Sequence, residues 1–333
     1  MKGESGSIAA LLRPVLDTYR ESAVAVVGCH STGIARDSCE LDVLLVSDER
    51  RGATSFRMGR VFCDLDFITE KETLSPADPE AGMSLAQSKV VRDSGLVLST
   101  SVAANQAVMG ELAVRATQAR LAACLKALSR TDEALLRGEK RDANFWVLAA
   151  SYEFARSWLY SLEVIPSPSH LLGQLKDHSR GSGRNFEAFV LGAGLEIASR
   201  KECADRLEGL SLLYDLLSSP RAGTNQRPTA TDVGYQIVKA KAADLADLKE
   251  HAESYSFLGG EVVRVVLAVS GSVRVEGQGR RHDQDVLSSL SDERKGLLSG
   301  RLVRELGLER PTSEVERSLA MLKERAAKLA RKI

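Results

Sequence analysis

Apolar residues at Ile8, Leu11, Leu12 and Val15 recur at helical spacing, so the pattern predicts a helix over Ile8–Tyr19, with Ser5 or Ser7 as its N-cap. Two short apolar runs follow. Ala23–Val27 ends at Gly28, Leu41–Val46 starts after an acidic pair, and both read as buried strands. Val61–Ile68 alternates: Phe62, Asp64, Asp66 and Ile68 face one way, and Cys63, Leu65 and Phe67 the other. Phe56–Gly59 belongs to the strand or turn leading into it. Val90–Leu98 reads as two extended pieces around a turn at Asp93-Ser94-Gly95.

From about Gln106 the pattern turns helical and stays so. Ala107–Leu128 is one long helix, and Phe145, Leu148, Ala149, Tyr152, Leu159 and Leu162 mark the apolar face of another, which stops before Pro166. Ser169 is expected to cap a helix through Leu172 and Leu175. Glu187–Ala198, Ala204–Leu217 and Thr231–Ala252 continue the series, with polar loops at Gly181–Arg184 and Ser218–Pro228. Gly259–Val275 fits strand by its valines and helix by its length, and Gly271–Gly279 reads as a loop or hairpin. Asp285–Leu306 and Thr312–Ile333 are helical, the last capped at Thr312-Ser313-Glu314. The fold class is therefore an α+β unit, a mixed sheet with flanking helices, followed by an all-α domain. The expected boundaries are 1–104, 105–258 for a bundle-like helical domain, and 259–333 for a mostly helical extension.

The chain has 333 residues, which suits two or three domains, and 45 basic residues balance 45 acidic ones. No global field attracts nucleic acid or an acidic membrane. Five cysteines without a C-x-x-C pair support neither a disulfide framework nor a zinc site. With no secretory pattern at the N-terminus and no apolar stretch of spanning length, the expected location is cytoplasmic, with no membrane partner.

The informative segment is VAVVGCHSTGIARDSCELDVLLVS, Val24–Ser47. Glycine at the end of the first strand lets backbone amides approach a phosphate, and a short helix from Cys29 or His30 would point N–H groups at it. Glu40 and Asp42, two apart on a strand, face the same side roughly 6–7 Å apart. That span suits carboxylates flanking a pair of magnesium ions. Asp64 and Asp66 share one face of the next strong strand, and either is within reach as a third carboxylate. An all-oxygen ligand set favours magnesium over zinc.

These residues resemble the DNA polymerase beta-like nucleotidyltransferase superfamily, and most closely the kanamycin (aminoglycoside) and minimal nucleotidyltransferases. The likeness is carried by Gly28-Cys29, ten residues, Glu40-Leu41-Asp42, then Asp64-Leu65-Asp66-Phe67, Glu70 and Glu72, and Lys89 to Gly95. It spans residues 20–100 best and 105–220 loosely. It implies a catalytic domain with a C-terminal helical domain and favours Asp64 as third ligand beside Glu40 and Asp42. It also implies two magnesium ions and a nucleoside triphosphate, with ATP expected, bound at Gly28, Cys29, Ser31 and Arg36. Two departures stand out: Cys29 where a serine is usual, and Glu40 where an aspartate is usual.

The implied reaction moves a nucleoside monophosphate to a hydroxyl on a small molecule, a protein or an RNA end. Glu111, Glu153 and Asp66 are the candidates for a general base. The alternative is a catalytically weakened relative that binds nucleotide or a partner, of regulatory or antitoxin type. An R-x(4–6)-H ribonuclease spacing is absent before His170, His178, His251 and His282. The oligomeric state stays open, with a homodimer among the options.

Overall fold

The computed structural model describes residues 8–20, 22–47, 52–59, 61–74, 76–179, 183–218, 228–247, 250–273 and 300–333. The chain divides into two compact units, Met1–Arg115 and Ala116–Ile333.

The first unit is built on a five-stranded mixed sheet, order β3-β4-β2-β1-β5 among the described residues. Its strands are β1 (Ala23–Val26), β2 (Leu41–Val46), β3 (Gly52–Met58), β4 (Val61–Ile68) and β5 (Lys89–Arg92). β2 and β4 run parallel, and every other pair is antiparallel. The period-two alternation decides both faces. Val24, Val26, Leu41, Val43, Leu45, Cys63 and Leu65 pack under Leu12 and Val15 of α1 (Ile8–Thr18). On the other face, Ala25 and Leu44 pack with Leu85 of α4 (Pro79–Ala86) and Leu98 of α5 (Val97–Ala107). The short helices α2 (Gly28–Thr32) and α3 (Glu70–Leu74) complete the unit.

Side chains tie the pieces together. Arg92 on β5 donates to Leu16 O at 2.9 Å and Ser22 O at 3.0 Å, and also to Tyr19 O, so one guanidinium satisfies carbonyls at the end of α1. Asp93 accepts from the backbone N–H of Leu98 at 3.2 Å and Ser99 at 2.7 Å, holding the first turn of α5.

One expectation for this unit is corrected, and one left open is settled. The stretch after Asp93-Ser94-Gly95 is not extended: Val97 begins α5, because Asp93 supplies the oxygen acceptors that its first amides need. Of the strand or turn expected before β4, strand is what forms, and it begins earlier, at Gly52, with Phe56 and Met58 reaching the core and Ser55 across from Asp64.

The second unit is helical: α6 (Met109–Leu136, from the first unit onward), α7 (Lys140–Tyr160), α8 (Leu171–His178), α9 (Gly183–Ala193), α10 (Arg200–Ser218), α11 (Pro228–Asp247), α12 (His251–Val273), α13 (Gly300–Glu305) and α14 (Thr312–Ala330). α7 is buried on nearly every side, which fits a helix at the centre of a core. α14 packs against α7 and α9. At their contact Gly192 lies so close to Ser151 that a Cβ there would sit 2.7 Å from the serine Cβ.

The valine-rich Gly259–Val273 stretch is helix, as part of α12, which settles its ambiguity. The break between α11 and α12 falls after Asp247 rather than after Ala252. Ser169 sits inside a 3-10 turn, Pro168–His170, and makes no side-chain cap. Thr312 likewise is already helical, with Pro311 at the cap position. Of the loop expected at Ser218–Pro228, both ends are helical and residues 219–227 lie outside the described residues, as do the region 274–299 and the cap at Ser5 or Ser7. No helix among the described residues is long and apolar enough to cross a membrane.

Candidate metal and nucleotide site

Glu40 directly precedes β2, Asp42 is its second residue, and Asp64 stands on the parallel neighbour β4. The register places Asp42 directly opposite Asp64. One carboxylate oxygen from each of Glu40, Asp42 and Asp64 lies within 4.8 Å of the others. All three side chains are half-buried, and Glu40 Oε2 and Asp64 Oδ1 are closed off from water. Like charges directly across strands destabilise a sheet, so this arrangement is costly without a cation.

Neighbouring groups register the concentrated negative charge. Burial, then Asp64 and Asp42, push the Cys63 thiol up to about 12. Asp66, exposed on the same strand face, is raised by desolvation first and by Asp64 second.

The turn after β1 is fitted to this cluster. Val27 N–H donates to Asp42 O at 3.0 Å, which fixes the next residue, Gly28, against the Asp42 side chain. Gly28 has φ +67, and a Cβ there would lie 2.2 Å from Asp42 Oδ2. Only glycine satisfies both the backbone conformation and the space. Gly33, φ +79, closes α2.

Of the other residues expected at the phosphate, Ser31 and Cys29 have their side chains engaged elsewhere. Ser31 Oγ donates to Gly28 O at 2.8 Å, so its proton serves the helix backbone. Cys29 is buried, and its sulfur lies within 4.8 Å of Cys39 Sγ. The Cys39 thiol first, then burial, Asp42 and Glu40, hold the Cys29 thiol far above its ordinary value. Arg36 is half-buried in the loop between α2 and Glu40, and its backbone N–H donates to Cys39 Sγ at 3.3 Å. A His30 ring nitrogen is 3.5 Å from Cys39 O.

In the second unit Glu153, one expected base, stands between two arginines, 3.2 Å from Arg120 and 3.5 Å from Arg156. Glu111 is an exposed residue in the first turn of α6.

The pairing of Cys29 with Cys39 was not legible in the sequence, because the C-x9-C spacing matches no metal or redox pattern. Ser55, which faces Asp64 from the edge strand, carried a readable signal: Ala53, Ser55 and Arg57 alternate with Thr54, Phe56 and Met58.

No family model matches the chain, and no curated protein matches it. Among solved structures the chain is similar to a nucleotidyltransferase-like protein from Exiguobacterium sibiricum 255-15. The two are 11% identical, the match covers 89% of each chain, and the TM-score is 0.36. A likeness of that size adds no weight to the assignment of individual residues.

Proposed function

We propose that the chain is a metal-dependent nucleotidyltransferase whose centre is Glu40, Asp42 and Asp64. The observation that carries this reading is the approach of three carboxylate oxygens within 4.8 Å beside a glycine whose missing Cβ leaves the Asp42 carboxylate room. The donors are all hard oxygens, which suits magnesium. Glu40, Asp42 and Asp64 would hold it, and when bound it would stabilise charge on the attacking and departing oxygens of a phosphoryl centre.

The chain's own contribution is placement. The β2–β4 ladder fixes Asp42 and Asp64 at one level of the sheet. The Gly28–Cys29 backbone offers amides to the triphosphate, and the Arg36 guanidinium a cation. Cys29 and Ser31 serve that role through the backbone, since their side chains are committed elsewhere. The acceptor hydroxyl adds to the α-phosphorus, and pyrophosphate leaves. Asp66, exposed on the face that carries Asp64, is the nearest candidate in the sheet for the hydroxyl proton.

Calorimetric titration with ATP, GTP, CTP and UTP, with and without magnesium, tests the proposal. The expected result is magnesium-dependent binding of at least one nucleotide, lost in Asp42→Asn. Binding that ignores magnesium, or survives that change, overturns it.

A second reading, a nucleotide-binding relative without turnover, is favoured by one observation: the Cys29 sulfur is buried beside Cys39 rather than left open to a phosphate. Pyrophosphate release separates the two. Release with an acceptor pool supports the transferase, and binding without release supports the second reading.

A further inference from the structure

Cys29 directly follows Gly28, and Cys39 directly precedes Glu40. Nine residues separate them in the chain, yet the fold brings them together. Their sulfur atoms lie within 4.8 Å, both side chains are buried, and both are in the thiol form. Cys39 Sγ accepts from Arg36 N–H at 3.3 Å, while Cys39 N–H returns a bond to Arg36 O at 3.0 Å.

We infer that Cys29 and Cys39 form a reversible disulfide site, and that closing it moves Glu40 out of the carboxylate cluster. Disulfide sulfurs sit ~2.0 Å apart. The pair is therefore close enough to bond, yet the sulfurs must approach by up to about 2.7 Å from the thiol arrangement. α2 carries Cys29 inside a hydrogen-bonded turn, whereas residues 34–40 are not in helix or strand. The adjustment therefore falls on the Cys39 side, and Glu40 is the next residue. A displacement of about 1 Å in a reacting group can cost ~100-fold.

The chemistry balances with a hydroperoxide as oxidant. The Cys39 sulfur attacks one peroxide oxygen, the O–O bond breaks, and water leaves behind a sulfenic acid. The Cys29 sulfur then attacks the Cys39 sulfur, the S–O bond breaks, and a second water leaves. Two thiols lose two electrons and two protons, and hydrogen peroxide becomes two waters. A dithiol reverses the step by exchange. The buried setting makes the first attack slow, so the site responds to sustained exposure rather than to brief contact.

The test uses the full chain treated with hydrogen peroxide, alkylated, digested without reductant and analysed by mass spectrometry. The expected product is a peptide pair linked Cys29–Cys39, absent in Cys39→Ala and lost on treatment with dithiothreitol. Complete alkylation of both cysteines, or a link from either to another cysteine, overturns the disulfide. Movement of the loop is read by amide hydrogen exchange. Oxidation must speed exchange at Arg36, whose N–H loses its place on the thiol, and an unchanged rate overturns the coupling.

The effect on Glu40 as a ligand rests on the nucleotide reading above, and titration with Mg·ATP addresses it. At least tenfold weaker binding after oxidation, restored by dithiothreitol and absent in Cys39→Ala, is expected. Equal binding by oxidised and reduced chain removes the functional link. A reduced chain that binds no Mg·ATP counts against the nucleotide reading, while peptide mapping and amide exchange still decide the disulfide.

Discussion

The two units handle buried charge in opposite ways. In the sheet unit, acids gather with acids: Glu40, Asp42 and Asp64 converge, and Asp42 faces Asp64 across the ladder. In the helical unit, buried charges meet complementary groups. Arg206 is 1% exposed, yet it donates to Leu306 O at 3.1 Å and Tyr255 O at 3.0 Å, and its guanidinium stacks 3.5 Å from the centre of the Tyr255 ring. Glu261 pairs with Arg264 at 2.6 Å and with the Tyr214 hydroxyl at 3.4 Å. At these positions the helical unit matches charge with complementary groups, whereas the sheet unit concentrates charge of one sign. A helical core gains from neutralised charge, because an unmatched buried group costs free energy. A binding site gains from a charge cluster that only its ligand completes.

The largest expected effect lies in the helical unit. Arg206→Ala removes the buried donors to the carbonyls of Leu306 and Tyr255 and opens a cavity, so it should lower stability by ~3 kcal/mol or more. Chemical denaturation measures this, and a loss under ~1 kcal/mol would show that the arginine is not a structural centre.

Gly28→Ala comes next. The added methyl meets Asp42 Oδ2 at 2.2 Å with φ at +67, and such strain costs about 1–3 kcal/mol. Its distinguishing readout is local: magnesium-dependent binding should fall much further than the melting temperature implies. A uniform loss of stability with binding intact would detach Gly28 from the site.

Asp93→Ala gives the smallest of the three, about 1 kcal/mol, as the loss of a cap. Burial raises the Asp93 carboxyl, but donation from the Ser99 amide and hydroxyl and from the Leu98 and Val97 amides outweighs it and leaves the group below its ordinary value. The native form therefore gains stability above the unfolded-state pKa and loses it as pH falls through the folded one. Wild type and variant should differ near neutrality and converge in strong acid. A gap that persists in acid would assign the effect to packing instead.

The legible parts of this molecule are those that a short repeat encodes. Alternation in Val61–Ile68 placed Asp64 and Asp66 on one face and Cys63 and Leu65 in the core, and the sheet shows that division. The acidic pair at Glu40 and Asp42 was readable for the same reason, as was the glycine that ends β1. What failed depends on contacts distant in sequence or on competition between local structures. Val97 and Leu98 look extended by composition, and helix wins because Asp93 caps their turn. The valines after Gly259 favour strand locally, and helix wins inside a helical core, with Tyr152 packed against Gly259 and Gly260. The Cys29–Cys39 contact depends on how an irregular loop folds back, which no periodicity records.

The central claim is that the acids of the sheet unit are gathered to hold a divalent cation. Thermal unfolding with increasing magnesium tests it most directly, in wild type and in Asp42→Asn. At a hundredfold excess over the dissociation constant a bound ion should add about 2.7 kcal/mol. The account predicts a rise in wild-type melting temperature with magnesium and none in Asp42→Asn. It also predicts that, without metal, the variant is at least as stable as wild type, because a like-charge contact is gone. A wild-type chain indifferent to magnesium, or a variant that gains as much from it, would contradict the account.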